Sequence, residues 1–213
     1  MSALRWDATP AGMREVYFRL SQALREGGYY LAGGTALALR EGHRVSVDLD
    51  VFCPTMPDPD GLLDTLQQSL VPLAVQSVAE KTLYLTVEGT QVSIIEYRYP
   101  MLAPLVTPED GGLALASLDD ISAMKLSAIA NRGSRKDFVD LWTLLTRYRS
   151  LPEYLELFER KFTLRDVGHV VRSLVYFDDA EREPPLRLLV EIDWDALKQD
   201  LRGRVSDLLR EAP

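Results

Sequence analysis

Apolar residues recur at helical spacing over residues 10–26, where Val16, Leu20, Ala23 and Leu24 fall on one stripe that Gly27-Gly28 closes. Tyr29 to Ala32 then reads as a short apolar strand, and Thr35 to Glu41 as a brief helix behind a Gly-Gly-Thr turn. Val47 to Phe52 alternates apolar and acidic positions with period two, the pattern of a strand with one buried face. Pro57-Asp58-Pro59-Asp60-Gly61 breaks the chain ahead of a helix over 61–70, with Leu62, Leu63, Leu66 and Leu70 on one side. Thr82 to Val87 and Gln91 to Tyr97 are rich in β-branched and aromatic residues around Glu88-Gly89, which predicts a β-hairpin. Four turn-prone positions over 98–116 predict a loop with one or two short strands.

From Ser117 the periodicity turns helical. One helix runs to about Asn131, and a second begins at Ser134, a residue suited to an N-cap, and runs to about Arg147. Further helices are expected over 152–162, 164–176 and 193–211, with Glu183-Pro184-Pro185 as the break before the last. The expected organisation is α+β: a mixed domain over residues 1–115, then a helical domain over 116–213.

Composition changes this picture little. At 213 residues with 46% hydrophobic and 26% charged positions, the chain has ample material for a core. No apolar run approaches a membrane span, the first ten residues lack the blocks of a signal peptide, and Cys53 is a lone cysteine. A cytoplasmic protein without membrane partners is expected. The net charge of −8 argues against a general nucleic-acid binder and leaves room for an enzyme acting on one RNA end.

Two stretches carry candidate chemistry. In the first, Gly33-Gly34-Thr35 forms a turn whose backbone N–H groups can hold a phosphate, and Asp48 and Asp50 follow on one strand face. Their Cα atoms are roughly 6.6 Å apart at strand geometry, close enough to share a Mg²⁺ ion. The competing reading of the pair is a solvated acidic edge strand. In the second stretch, Lys125 and Arg132 share a helix face, and Lys136, Asp137 and Asp140 cluster on the next helix. These residues either stabilise phosphoryl-transfer charge or form an ion-pair network between two helices, with Asp140 tied to Lys125 or Arg132. Arg44 either braces the turn or touches a phosphate. Phe177-Asp178-Asp179 reads as an acidic loop after a helix, Cys53 as packing, and the three tryptophans make no nucleic-acid platform.

Ala32-Gly33-Gly34, thirteen residues and Asp48-Leu49-Asp50, followed by the Asp120-Ile121, Lys125, Arg132-Gly133, Lys136-Asp137 and Asp140-Leu141 series, resemble the AbiEii/AbiGii-type nucleotidyltransferase toxins. These are toxin halves of type IV toxin–antitoxin pairs within the DNA polymerase β-like superfamily. The resemblance implies a polymerase β-like domain with a mixed or antiparallel sheet and flanking helices, plus a C-terminal helical domain. It implies transfer of a nucleoside monophosphate from an NTP to an acceptor such as RNA or tRNA, with Mg²⁺ (or Mn²⁺) as cofactor and an antitoxin from an adjacent gene as partner. Asp48 and Asp50 would hold the metal and act with Lys125 and Asp140 in catalysis. Gly33, Gly34, Thr35, Arg44, Arg132, Lys136 and Asp137 would bind the nucleotide. One departure stands out: where the superfamily often places a third carboxylate, the aligned position is Ser93, and Glu96 is an odd number of residues away. A nucleotide-binding regulator or scaffold of the same fold, weak or inactive in transfer, is therefore the alternative.

Overall fold

The computed structural model describes residues 3–56, 58–164 and 166–211; Pro57 of the expected break and Arg165 of the expected 164–176 helix lie outside them. The chain divides into two compact units, Met1–Pro100 with Pro104–Ala116, and Met101–Ala103 with Ser117–Pro213.

The first unit holds α1 (Met13–Ala23), β1 (Tyr30–Leu31), α2 (Gly33–Glu41), β2 (Asp48–Cys53), α3 (Pro59–Ser69), β3 (Leu73–Ala79), β4 (Thr82–Val87), β5 (Thr90–Glu96) and β6 (Ala114–Leu115). The six strands form one mixed sheet in the order β3-β4-β5-β2-β1-β6. The β3-β4, β4-β5 and β2-β1 pairs are antiparallel, whereas β5-β2 and β1-β6 are parallel. One sheet face is closed: Leu49, Val51, Leu83, Leu85, Val92 and Ile94 are essentially inaccessible. Burying such side chains is worth about 1.5–3 kcal/mol each, so these alternating positions hold the strands in register. The expected hairpin is β4-β5, with Glu88 and Gly89 at positive φ in its turn.

Strand β3 has no counterpart in the periodicity. It is an edge strand exposed at six of its seven positions, so neither face needed to be apolar and no alternation marked it. The stretch over 98–116 is a loop with one short strand, β6, and a bridge from Val106 to Leu115. It is pinned to α1 where the Tyr17 hydroxyl donates to the Leu113 carbonyl at 2.7 Å.

The second unit is helical: α4 (Leu118–Asn131), α5 (Arg135–Arg147), α6 (Leu151–Phe162), α7 (Gly168–Ser173), α8 (Asp178–Arg182) and α9 (Trp194–Glu211). Its central helix α4 packs on α5, α6 and α7. Ser117 caps α4 by accepting from Asp120 N at 3.0 Å, and Glu153 reaches back to Ser150 N at 2.9 Å at the start of α6. Two expectations change. The helix expected over 164–176 is confined to Gly168–Ser173, and the acidic pair Asp178-Asp179 opens α8 instead of lying in a loop. Carboxylates in a first helical turn complement the N-terminal partial charge, which accounts for that placement.

A buried ion pair stitches this unit together. Lys161 Nζ on α6 lies 2.7 Å from Asp120 Oδ1 on α4, and both side chains are fully inaccessible. Asp120 also accepts from Ser117 Oγ at 2.6 Å and from Leu102 N at 3.0 Å, which ties residues 101–103 to the helices. Replacing Lys161 by Met leaves the Asp120 carboxylate buried beside an apolar group. The expected loss is roughly 3–5 kcal/mol, read as a lower urea midpoint with an unchanged slope.

Candidate active site

The sheet face opposite the core carries the candidate site. On β2 it presents Asp48, Asp50 and Phe52, with both aspartates partly exposed. On β5, register places Gln91 beside Asp48 and Ser93 beside Asp50. On β4 it continues with Thr86 beside Gln91 and Tyr84 beside Ser93. Two rows therefore cross the strands, Asp48-Gln91-Thr86 and Asp50-Ser93-Tyr84.

The pairing of β2 with β5 runs without a break from Asp48↔Gln91 to Cys53↔Glu96. With no bulge to shift it, Glu96 falls on the face opposite Asp48 and Asp50. Its carboxylate is engaged there: Met56 N donates to it at 2.9 Å and Arg98 Nε lies at 2.5 Å. The Met56 amide, followed by Arg98, holds Glu96 below the usual carboxylate range. Ser93 is thus the β5 residue beside Asp50, and the position where a third carboxylate was expected holds a hydroxyl.

The Gly-Gly turn meets this face directly. Helix α2 starts at Gly33, which has φ +69°, and Ala32 N donates to the Asp50 carbonyl at 3.1 Å. A Cβ built on Gly33 would lie 3.0 Å from Asp50 Oδ2. Only glycine lets the turn come this close to the carboxylate while adopting a left-handed backbone. The N–H groups of Gly33, Gly34 and Thr35 form the first turn of α2, where helical geometry leaves them without intrahelical acceptors.

Thr35 itself is buried, and its hydroxyl donates to the Asp48 carbonyl and lies 2.8 Å from Ser46 Oγ. That clamp fixes α2 against the strand carrying both aspartates, so Thr35 offers the face its backbone amide while its side chain positions the turn. Ser46 is the other half of the clamp, a role that its residue type and spacing do not announce. Arg44 is also buried, with Nη1 donating to the Val45 carbonyl at 3.1 Å. It lies in the linker between the turn and the aspartates.

Within the helical unit, the second group of candidates comes together as a charge cluster. Lys125 Nζ on α4 lies 2.9 Å from Asp137 Oδ1 and 2.6 Å from Asp140 Oδ2 on α5. Arg132 adds two contacts to Asp137, Nε at 2.8 Å and Nη2 at 3.1 Å. Lys125, Asp137 and Asp140 are buried, whereas the Arg132 side chain is 56% exposed. Burial by itself pushes Asp137 up, but Lys125 and Arg132 outweigh it and hold the carboxyl below its ordinary value of 3.8. Two cations on α4 and its C-cap thus neutralise two carboxylates on α5, the ion-pair network that the spacing allowed. Lys136 lies on the same first turn of α5, half-buried.

Other residues settle into the fold. Burial pushes the Cys53 thiol up to about 11, which leaves it protonated and unreactive. Phe177 packs against Phe138 and Trp194. Trp142 Nε1 donates to Asp200 at 3.0 Å, and Trp6 packs against Tyr17. Among the described residues no group of three or more His, Cys, Asp or Glu could hold a metal ion. The face presents two carboxylates, Asp48 and Asp50. No described helix is long and apolar enough to cross a membrane.

Comparison with known proteins extends this geometry. A sequence model of the "Nucleotidyl transferase AbiEii toxin, Type IV TA system" family matches residues 15–212. An uncharacterized Aquifex aeolicus protein, aq_aa25, is 37% identical over 183 residues, covering 85% of this chain and 88% of its own. Among solved structures, MenT4, a nucleotidyltransferase toxin from Mycobacterium tuberculosis H37Rv, superposes with a TM-score of 0.59 at 18% identity, covering 94% of this chain and 82% of that one. JHP933 from Helicobacter pylori superposes with a TM-score of 0.56 at 20% identity over 93% and 89%. These similarities give the fold as that of polymerase β-like nucleotidyltransferases.

Two outcomes follow from the local geometry. Gly33→Ala combines a left-handed backbone with a close contact to Asp50, and should lower stability by about 1–2 kcal/mol in urea titration. Asp137→Asn should cost roughly 3 kcal/mol at neutral pH, because it leaves Lys125 short of a buried counter-charge. Since the folded-state pKa of Asp137 is lowered, its stabilisation is present above the ordinary carboxylate range and is lost as pH falls through the lowered value. The stability gap between wild type and Asp137→Asn should therefore narrow below about pH 4 in parallel urea titrations.

Proposed function

The chain belongs to the AbiEii family of nucleotidyltransferase toxins, and from that premise we propose that it transfers a nucleoside monophosphate from an NTP to an RNA acceptor such as tRNA. The single observation that carries this reading is the approach of the Gly33 turn to Asp50, which sets amide donors for a phosphate beside a pair of carboxylates. The first-turn amides of Gly33, Gly34 and Thr35 bind the triphosphate, assisted by the positive end of α2. Asp48 and Asp50 offer hard oxygen donors from one strand face, a set suited to Mg²⁺, or Mn²⁺ in its place, with nucleotide phosphates completing the coordination. Such an ion, when bound, neutralises charge on the phosphates and on the attacking oxygen.

The acceptor hydroxyl bonds to the α-phosphorus, the bond to the β-phosphate oxygen breaks, and pyrophosphate leaves. In this reading Asp50, whose neighbour on β5 is Ser93, takes up the hydroxyl proton. Thr35 and Ser46 keep the turn and the strand in fixed relation. Lys125, Arg132, Asp137 and Asp140 brace α4 on α5. An antitoxin is the protein partner that the family implies.

The Ser93 position favours one second reading. Without a carboxylate on β5 the same fold can bind a nucleotide and transfer it slowly or not at all, acting as a regulator or scaffold. In that case calorimetry would show Mg²⁺-dependent NTP binding without turnover, and Ser93→Asp would leave transfer absent.

With Mg²⁺, labelled NTPs and total tRNA, wild type should label the RNA. Asp48→Asn and Asp50→Asn should each reduce labelling on the order of 10²-fold or more, the scale seen when a group acting on transition-state charge is removed. Equal labelling by wild type and Asp50→Asn would remove the two-carboxylate mechanism.

A further inference from the structure

We propose that Tyr84 is the stacking platform for a nucleobase of the RNA acceptor, which lies across β5 and β4. The inference rests on the transfer reading above and adds to it the path of the second substrate.

The order of residues across the sheet carries it. In one row stand the Gly33 turn, Asp50, Ser93 and Tyr84, each on the next strand or turn. The nucleotide's phosphates occupy the Gly33 end, so the acceptor oxygen must reach Asp50 from the other side, over Ser93. Adjacent strands are about 4.8 Å apart, which puts Tyr84 two strands, roughly 10 Å, beyond Asp50. That is the span of a nucleoside whose hydroxyl is held at Asp50 and whose base extends outward. The short Ser93 side chain leaves the path over β5 open.

Tyr84 is suited to that role by its place in the row and its exposed ring. Tyr17, Phe52 and Phe138 are packed against other rings, whereas Tyr84 keeps 43% exposure. The open-face positions of β4 and β5 are Thr82, Tyr84, Thr86, Gln91, Ser93 and Ile95, so Tyr84 is the one aromatic surface among them. Its partner on β3 is Ser77, too small to cover the ring. Two positions along β4, Thr86 accepts from Gln76 at 2.8 Å and from Gln91 at 3.3 Å. A net charge of −8 gives the protein no global basic field toward RNA. Stacking is the attraction that an acidic protein can still offer a nucleic acid, and it tolerates any base.

The test pairs steady-state transfer with direct binding, using total tRNA as the probe. At saturating NTP, Tyr84→Ala should raise the KM for tRNA about tenfold, with kcat and the KM for NTP within about twofold of wild type. Tyr84→Phe and Tyr84→Trp should restore it, since they retain the ring. Fluorescence anisotropy of labelled tRNA without NTP should show the same loss and the same rescue. An unchanged tRNA KM, an equal rise in the KM for NTP, or failure of Phe and Trp to rescue would overturn the proposal. If wild type transfers nothing yet binds tRNA in a Tyr84-dependent way, the transfer reading fails and the stacking site stands. If wild type neither transfers to nor binds tRNA, both fall. Tyr84 lies on the exposed face, and matching urea midpoints for all three variants would confirm that folding is intact.

Discussion

Strand β2 is where the competing demands of this protein meet. Its core-side residues, Leu49 and Val51, are fully buried, so the strand cannot slip by one position without carrying them to the open face. The same constraint turns Asp48 and Asp50 outward together. Ala32 N and the Thr35 hydroxyl then bond to the carbonyls of Asp50 and Asp48, which fixes the glycine turn against the strand. A carboxylate pair and a helix start thus share one rigid frame, with Gly33 as the point of closest approach. Groups held this way are fixed relative to one another by the backbone itself.

Charge inside the helical unit does different work. Lys125 between Asp137 and Asp140, and Lys161 against Asp120, each bury opposite charges in hydrogen-bonded contact. Such pairs add little net stability over an apolar core but are costly to break when one partner is removed. Signature residues of the second stretch are accordingly bound up with the geometry of α4 against α5. Arg132 differs from the rest, since its guanidinium is half in solvent while it holds Asp137.

The sequence-to-structure correspondence varied with the physics behind each element. Helices with strong apolar stripes and capping residues, such as α4 after Ser117 and α6 after Ser150, appeared close to their expected limits. The β4-β5 hairpin did too, because one face of each strand is buried. Strand β3 left no trace, since an exposed edge imposes no alternation. The helix around Gly168 was overextended because apolar residues continue on both sides of it. In the site, the aspartates and glycines were legible from type and spacing. Ser46 was not, because a hydroxyl clamped against Thr35 looks like any other polar residue, and neither was Tyr84, because an aromatic in a strand ordinarily signals packing.

By itself the sequence determined the chemistry on offer: a glycine turn, two carboxylates at period two, a basic-acidic helical pair, and a serine where an acid was expected. Periodicity was enough for this, since alternation and helical spacing are local properties of the backbone. Tertiary structure decided which of these groups face one another. The unbroken β2-β5 register put Ser93 beside Asp50 and sent Glu96 to the opposite face. Packing of α4 on α5 joined Lys125 to Asp137 and Asp140, and the sheet order placed Tyr84 in one row with Asp50 and Ser93. Those are long-range pairings, and strand order and helix contacts are set by the burial of a shared core, which no single stretch of chain encodes.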